Sequence, residues 1–218
     1  MIFFIFRSLL LYRFLCYYST YKIMPKRRIF IAVNLPADVR SGLKKAREKW
    51  RDLPVRWTKT DNLHITLVFI GYATDEEVLE IAKIAREIAQ KLPPFSVSLS
   101  RIELGPHEGP PKMIWAEAEP SEELAELKRE LEDAFFHSQK SGYLRKESRE
   151  FRPHITLGRI LQREWREAGA QNQFAGEKIN LTFYVSSVEL KESKIKRGGP
   201  EYAVLESVEL GKVVENEE

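Results

Sequence analysis

Two tetrapeptides in this chain are identical: His64-Ile65-Thr66-Leu67 and His154-Ile155-Thr156-Leu157. The chain holds only four histidines and seven threonines, so two matched His-x-Thr pairs with the same intervening residues are a poor fit to chance. Side chains alternate along a strand, so each His and Thr would share one face while Ile and Leu share the other. An imidazole titrates near neutral pH. Two of them can therefore divide the opening of a phosphodiester by water, one deprotonating the water and the other protonating the departing oxygen. The hydroxyls of Thr66 and Thr156 would then hydrogen-bond the non-bridging phosphate oxygens. The alternative is a pair of core histidines satisfied by nearby backbone. Two histidines without carboxylates at ligand spacing are an incomplete zinc set, so no metal and no other cofactor is expected.

The surrounding pattern supplies strands for both motifs. Residues 27–36 alternate, are rich in β-branched types and end at Pro36, which reads as a strand. Residues 37–51 have helical spacing through Val39, Leu43, Ala46 and Trp50. The first motif lies in a strand over 62–71 that stops at Gly71. An amphipathic helix over 74–92 follows, opened by a capping box from Thr74 to Glu77. Strands over 94–104 and 113–119 flank a Gly/Pro-rich loop, and a second helix with a capping box at Ser121 covers 121–139. The second motif lies in a strand over 151–160. A short helix near 162–168, a β-rich stretch over 173–193 and a last strand over 201–210 complete the series. The order predicts an α+β fold: a weak internal duplication with two lobes of antiparallel sheet and helix, one motif in each half of the chain.

Bulk properties exclude more than they assign. At 218 residues, with 43% hydrophobic and 31% charged content, the chain is globular rather than disordered. The net charge of +3 comes from residues 1–23, which carry Arg7, Arg13 and Lys22 and no acid; the remainder holds 32 basic and 32 acidic side chains. Affinity for a polyanion must then come from local patches. Three present themselves: Lys26-Arg27-Arg28; Arg145, Lys146, Arg149 and Arg152; and Lys191, Lys194, Lys196 and Arg197. For any one of them the ordinary account is a solvated face. Arg152 shares strand parity with His154, which would aim it at the site.

Residues 1–23 are apolar and aromatic, but Arg7 and Arg13 interrupt runs already far shorter than the roughly 20 residues of a membrane span. They are expected to lie outside the fold, with Met24 as its start, a core domain over 24–212, and a loose acidic tail over 213–218. Cys16, the only cysteine, excludes a disulfide framework and is compatible with a reducing cytoplasm. His107 and His137 lack the threonine partner and are expected to be bystanders.

RRIFIAVNLP (27–36), VRWTKTDNLHITLVFIG (55–71), PPKMIWAEAE (110–119), REFRPHITLGR (149–159) and ELKESKIKRGGPEYAVLESVEL (189–210) together resemble the 2H phosphoesterases. Within them, the similarity is to the RNA 2',3'-cyclic phosphodiesterases, also called 2'-5' RNA ligases. The resemblance implies a bilobal fold with the active-site cleft between the lobes. It implies an RNA substrate ending in a 2',3'-cyclic phosphate and a 2'-phosphate product. It makes His64 the acid and His154 the base, with Thr66 and Thr156 on the phosphate. Arg159 would stack on or steer the terminal nucleotide, and Phe30 is a weaker base-stacking candidate whose core role is the alternative. Reversible 2'-5' ligation at the same residues, or capture of RNA ends without turnover, are the competing functions. Because both histidines come from one chain, a monomer is expected, with no membrane partner. A lid near Gly198-Gly199-Pro200 would also lie beside the cleft.

Overall fold

The computed structural model describes residues 26–138, 150–197 and 199–211. Residues 1–25, 139–149, 198 and 212–218 lie outside it, and with them the extension, the tail, Arg145, Lys146, Arg149 and Gly198 of the expected lid. In chain order the elements are β1 (Arg27–Asn34), α1 (Ala37–Arg47), β2 (Val55–Trp57), β3 (His64–Ala73), α2 (Asp75–Ala89), β4 (Phe95–Gly105), β5 (Met113–Ala118), α3 (Glu122–His137), β6 (His154–Ile160), α4 (Gln162–Glu167), β7 (Glu177–Val185), β8 (Ser187–Lys196) and β9 (Gly199–Glu209). Among the described residues no helix is long and apolar enough to cross a membrane.

The strands form one antiparallel sheet in the order β7-β4-β5-β6-β3-β1-β8-β9, with β2 added against β6. It narrows in the middle. Motif strands β3 and β6 share a single pair, Ile65 with Ile155, so two four-stranded lobes meet where the two motifs meet. The lobes are not the two halves of the chain. Strands β8 and β9 return to join β1 and β3, whereas β4 and β5 pair with β6 and β7. Linear order suggested a tandem duplication; hydrogen-bonded pairing, which linear order does not carry, interleaves it.

The helices tie the lobes together. Helix α1 leaves β1 but packs against β7 of the other lobe, where Gly42 lies against Leu181. Helix α3 leaves β5 and packs on α2 and β3. Their buried faces, including Leu43 of α1, Ala85 of α2 and Leu127 of α3, join Ile29, Ile31, Ile65 and Ile155 in one apolar core. Thr74 and Glu77 form the expected capping box at α2. Ser121 caps α3 through the Leu124 N–H at 3.1 Å, but no acid at Leu124 returns the bond, so the expected box is a simple cap.

Boundary differences have local causes. Residues 60–62 form a 3-10 turn, and β3 begins at His64. It runs through Gly71 to Ala73: Gly71 has φ 97°, a left-handed value that suits glycine, and sits at a register shift against β1. Gly71 is thus a bulge rather than the predicted stop. Strand β6 begins at His154, after Pro153, which has no N–H to give a ladder.

Candidate active site

The two motif strands present their residues in the same way. Leu67 is skipped in the pairing of β3 with β1, and Leu157 in the pairing of β6 with β5. The bulges therefore fall at the same motif position. His64 faces Asn34 across the ladder, and His154 faces Glu117; Thr66 faces Ala32, and Thr156 faces Trp115. The Ile and Leu of both motifs are buried in the core, leaving His and Thr half-buried on the other face.

Both rings are held in one tautomer. Nδ1 of His64 lies 2.7 Å from the Asn62 carbonyl oxygen, and Nδ1 of His154 lies 2.8 Å from that of Arg152. A carbonyl only accepts, so Nδ1 donates in each ring. That leaves Nε2 of the neutral imidazole as the proton acceptor. The Thr66 hydroxyl lies 3.0 Å from His64 Nε2 and donates to it. The Thr156 hydroxyl instead meets the Met113 sulfur at 3.9 Å.

The packing around the rings differs. His64 touches Phe30 and Tyr202, each with its ring centroid 5.1 Å away, Tyr202 edge-on. His154 stacks on Trp115 at 3.9 Å. Gly105 makes room for that indole: a Cβ there would lie 2.2 Å from Trp115 Cδ2.

The charges differ too. Beneath His64, Lys191 pairs with Glu189 at 2.7 Å, and Asn34 donates to the same carboxylate at 3.1 Å. Lys191 is only 3% exposed, so this pairing is what makes its burial tolerable. Burial pushes His64 down to about 4, and the charges of Lys191 and His154 push the same way, against the hydrogen bond to Asn62. On the other side, Glu117 meets His107 at 2.6 Å and Arg101 at 3.2 Å, and Glu103 lies 3.2 Å from His107. Burial raises Glu103 to about 7, with its hydrogen bond to Glu117 adding to this. Burial also pushes Glu117 up, but its hydrogen bonds to Glu103 and His107 and the charges of His107 and Arg101 outweigh it, and Glu117 is lowered. Glu103, His107 and Glu117 bring ligand atoms within 4.8 Å of one another, yet Arg101 already lies 3.3 Å and 3.2 Å from the two carboxylates and balances their charge.

The sequence-based candidates fall into three groups. His64, His154, Thr66 and Thr156 come together at the lobe junction. Arg159 shares the face of Thr156: Met113 lies across from it, and Met113 Sδ contacts both, with Arg159 Nη1 at 3.5 Å. Two expectations need correction. Phe30 is 2% exposed and packs on His64, Phe69 and Tyr202, so it supports the ring instead of offering a stacking surface. The Arg152 side chain turns to Glu150 at 3.4 Å, outside the strand, and its carbonyl serves the site by orienting His154. His137 bonds its own helix at Asp133. His107 is not isolated but reaches His154's strand partner, Glu117.

The basic clusters are largely neutralised. Arg27 meets Asp75 and Glu192, Lys194 meets Glu192, and Lys196 meets Glu201. Residues unforeseen from sequence are Asn34, Glu117, Trp115 and Tyr202, while Lys191, expected in a surface basic patch, is instead buried and paired with Glu189. Alternation in 113–118 separates Met113, Trp115 and Glu117 from Ile114, Ala116 and Ala118, but only cross-strand register puts the first set beside His154.

Known proteins share this architecture. The sequence profile described as the 2'-5' RNA ligase superfamily matches residues 32–194. A relative from Thermus thermophilus named RNA 2',3'-cyclic phosphodiesterase is 32% identical over 193 residues, spanning 84% of this chain and 90% of that protein. A relative of the same name from Methanothermobacter thermautotrophicus is 28% identical over 190 residues, spanning 85% of this chain and 100% of that one. Among solved structures, one from Thermus thermophilus superposes with a TM-score of 0.72 at 28% identity, covering 85% of this chain and 99% of the other. E. coli LigT complexed with 3'-AMP shares the fold at a TM-score of 0.67 and 24% identity, over 85% of this chain and 99% of its own.

Proposed function

The chain belongs to the 2'-5' RNA ligase superfamily and is a phosphodiesterase, and we propose that it hydrolyses RNA 2',3'-cyclic phosphate ends to 2'-phosphomonoesters without a metal ion. The observation that carries this reading is the matched pair of imidazoles, each with Nδ1 committed to a carbonyl, each with a threonine two residues on along the same face of its strand. His154 Nε2 takes the proton of the attacking water, and His64 returns one to the 3' oxygen as its bond to phosphorus breaks. Thr66 and Thr156 hold the non-bridging oxygens. Replacing water by a ribose 5'-hydroxyl turns the same steps into 2'-5' ligation.

In the resting enzyme His64 is neutral at pH 7, so its acid role requires protonation alongside the substrate. A phosphodiester anion between the rings offsets the repulsion from Lys191 and His154 and favours that proton. The resting neutrality also supports a second reading, with the roles exchanged: His64 as base, Thr66 handing its hydrogen bond to the phosphate. A p-nitrophenyl phosphodiester separates the two, because its leaving group departs without an acid. The histidine whose alanine variant keeps activity on the aryl ester but loses it on cyclic RNA is the acid. Loss of RNA binding together with turnover in both variants would instead assign the histidines to structure.

A further inference from the structure

Strand β2 lies beside β6 just beyond the catalytic motif, and the pairing places Arg56 directly opposite Arg159. Their neighbours Val55 and Ile160 are a pair on the buried face, so both arginines stand on the exposed one. That is the face of Thr156, as the shared contacts of Met113 with Thr156 and Arg159 establish. Like charges directly opposite on adjacent strands repel. Among the described residues neither guanidinium meets a carboxylate, although most other basic side chains near the site do. Arg159 also lies near enough to Tyr202, which packs on His64, to counter the rise that burial imposes on its phenol. The arginine pair therefore borders the catalytic junction.

Two facing guanidiniums without an acid form a fork suited to a phosphate. At about 3.3 Å per residue, Arg159 stands roughly 10 Å along the strand from Thr156, a separation that long arginine side chains can shorten. A cyclic phosphate closes the 3' end of an RNA, so every other phosphate of that strand lies 5' to it.

We propose that Arg56 and Arg159 form a second phosphate site that grips the internal phosphodiester next to the reacting end, so that the enzyme reads an oligonucleotide rather than a nucleotide. This rests on the cyclic phosphodiesterase activity proposed above. Arg56 is the new member; it takes no part in the bond-breaking step and acts by holding the strand.

The test compares a mononucleoside 2',3'-cyclic phosphate, a dinucleotide with the same cyclic end, and that dinucleotide with a neutral methylphosphonate as its internal linkage. In the wild-type protein, kcat/KM for the charged dinucleotide should exceed that for the neutral one by about tenfold, through KM. Arg56→Ala should erase that advantage, and Arg56→Lys should restore part of it by charge without the fork. Equal kcat/KM for charged and neutral dinucleotides in the wild type overturns the second site, and that result does not depend on any variant folding. Failure of the wild type to open any of the three substrates overturns the underlying activity instead.

Discussion

The two lobes carry the same tetrapeptide with the same bulge and the same ring tautomer, yet they surround it differently. The His64 lobe supplies a fixed ion pair, Lys191 with Glu189, and an aromatic enclosure of Phe30 and Tyr202. The His154 lobe supplies a titratable group of Glu103, Glu117 and His107 with Arg101, and a single stacked indole. Strand geometry places an imidazole; for His64, burial lowers its affinity for a proton, and the charge of Lys191 two strands away pushes the same way. A duplicated motif can therefore yield unlike partners without changing the motif.

The largest expected effect breaks the symmetry outright. His64→Ala and His154→Ala should each lower kcat on cyclic RNA by about 10²–10⁴-fold, while only one of them retains turnover of the p-nitrophenyl ester. Equal behaviour of the two variants on both substrates would erase the functional distinction between the lobes.

Protein stability offers the next contrast. His64 has a folded value of about 4 against about 6.5 in the unfolded chain, so on acidification the unfolded chain takes up the proton first. Stability from this group is complete above pH 6.5 and falls away between pH 6.5 and 4, by up to about 3 kcal/mol. Urea titrations of wild type and His64→Gln across that window should converge toward acid, with the variant showing the shallower pH dependence.

Gly105→Ala targets the other lobe. The added methyl meets the Trp115 ring, which must move off His154 or strain the strand, at a cost of about 1–3 kcal/mol. The His154 NMR signals should shift, while those of His64 stay in place. The smallest effect is electrostatic: the paired change Lys191→Met with Glu189→Gln removes the ion pair beneath His64, of which Lys191 is the charge that pushes His64 down, so its titration should move upward. No movement would remove Lys191 from the explanation of the asymmetry.

Much of this was legible in the residues. The alternation of His64-Ile65-Thr66-Leu67 located the strand, its buried face and the opposite face that carries His64 and Thr66, because period-two patterning is local. Two misplacements show where that stops. Arg152 has the parity of His154, but parity holds only within a strand, and Pro153 ends the ladder first. Phe30 also has the parity of the site, yet Tyr202, distant in sequence, covers it. The interleaving of β8 and β9 with β1, the opposition of Arg56 to Arg159 and the Glu117 cluster all depend on register between distant segments, which composition and spacing do not encode.

The most direct test incubates the full chain with a short RNA ending in a 2',3'-cyclic phosphate in the presence of EDTA, and identifies the product by its phosphate position. Two-histidine catalysis predicts complete conversion to a 2'-phosphate, lost in both histidine variants. A 3'-phosphate product, or a reaction that stops in EDTA and resumes with added metal, would contradict it.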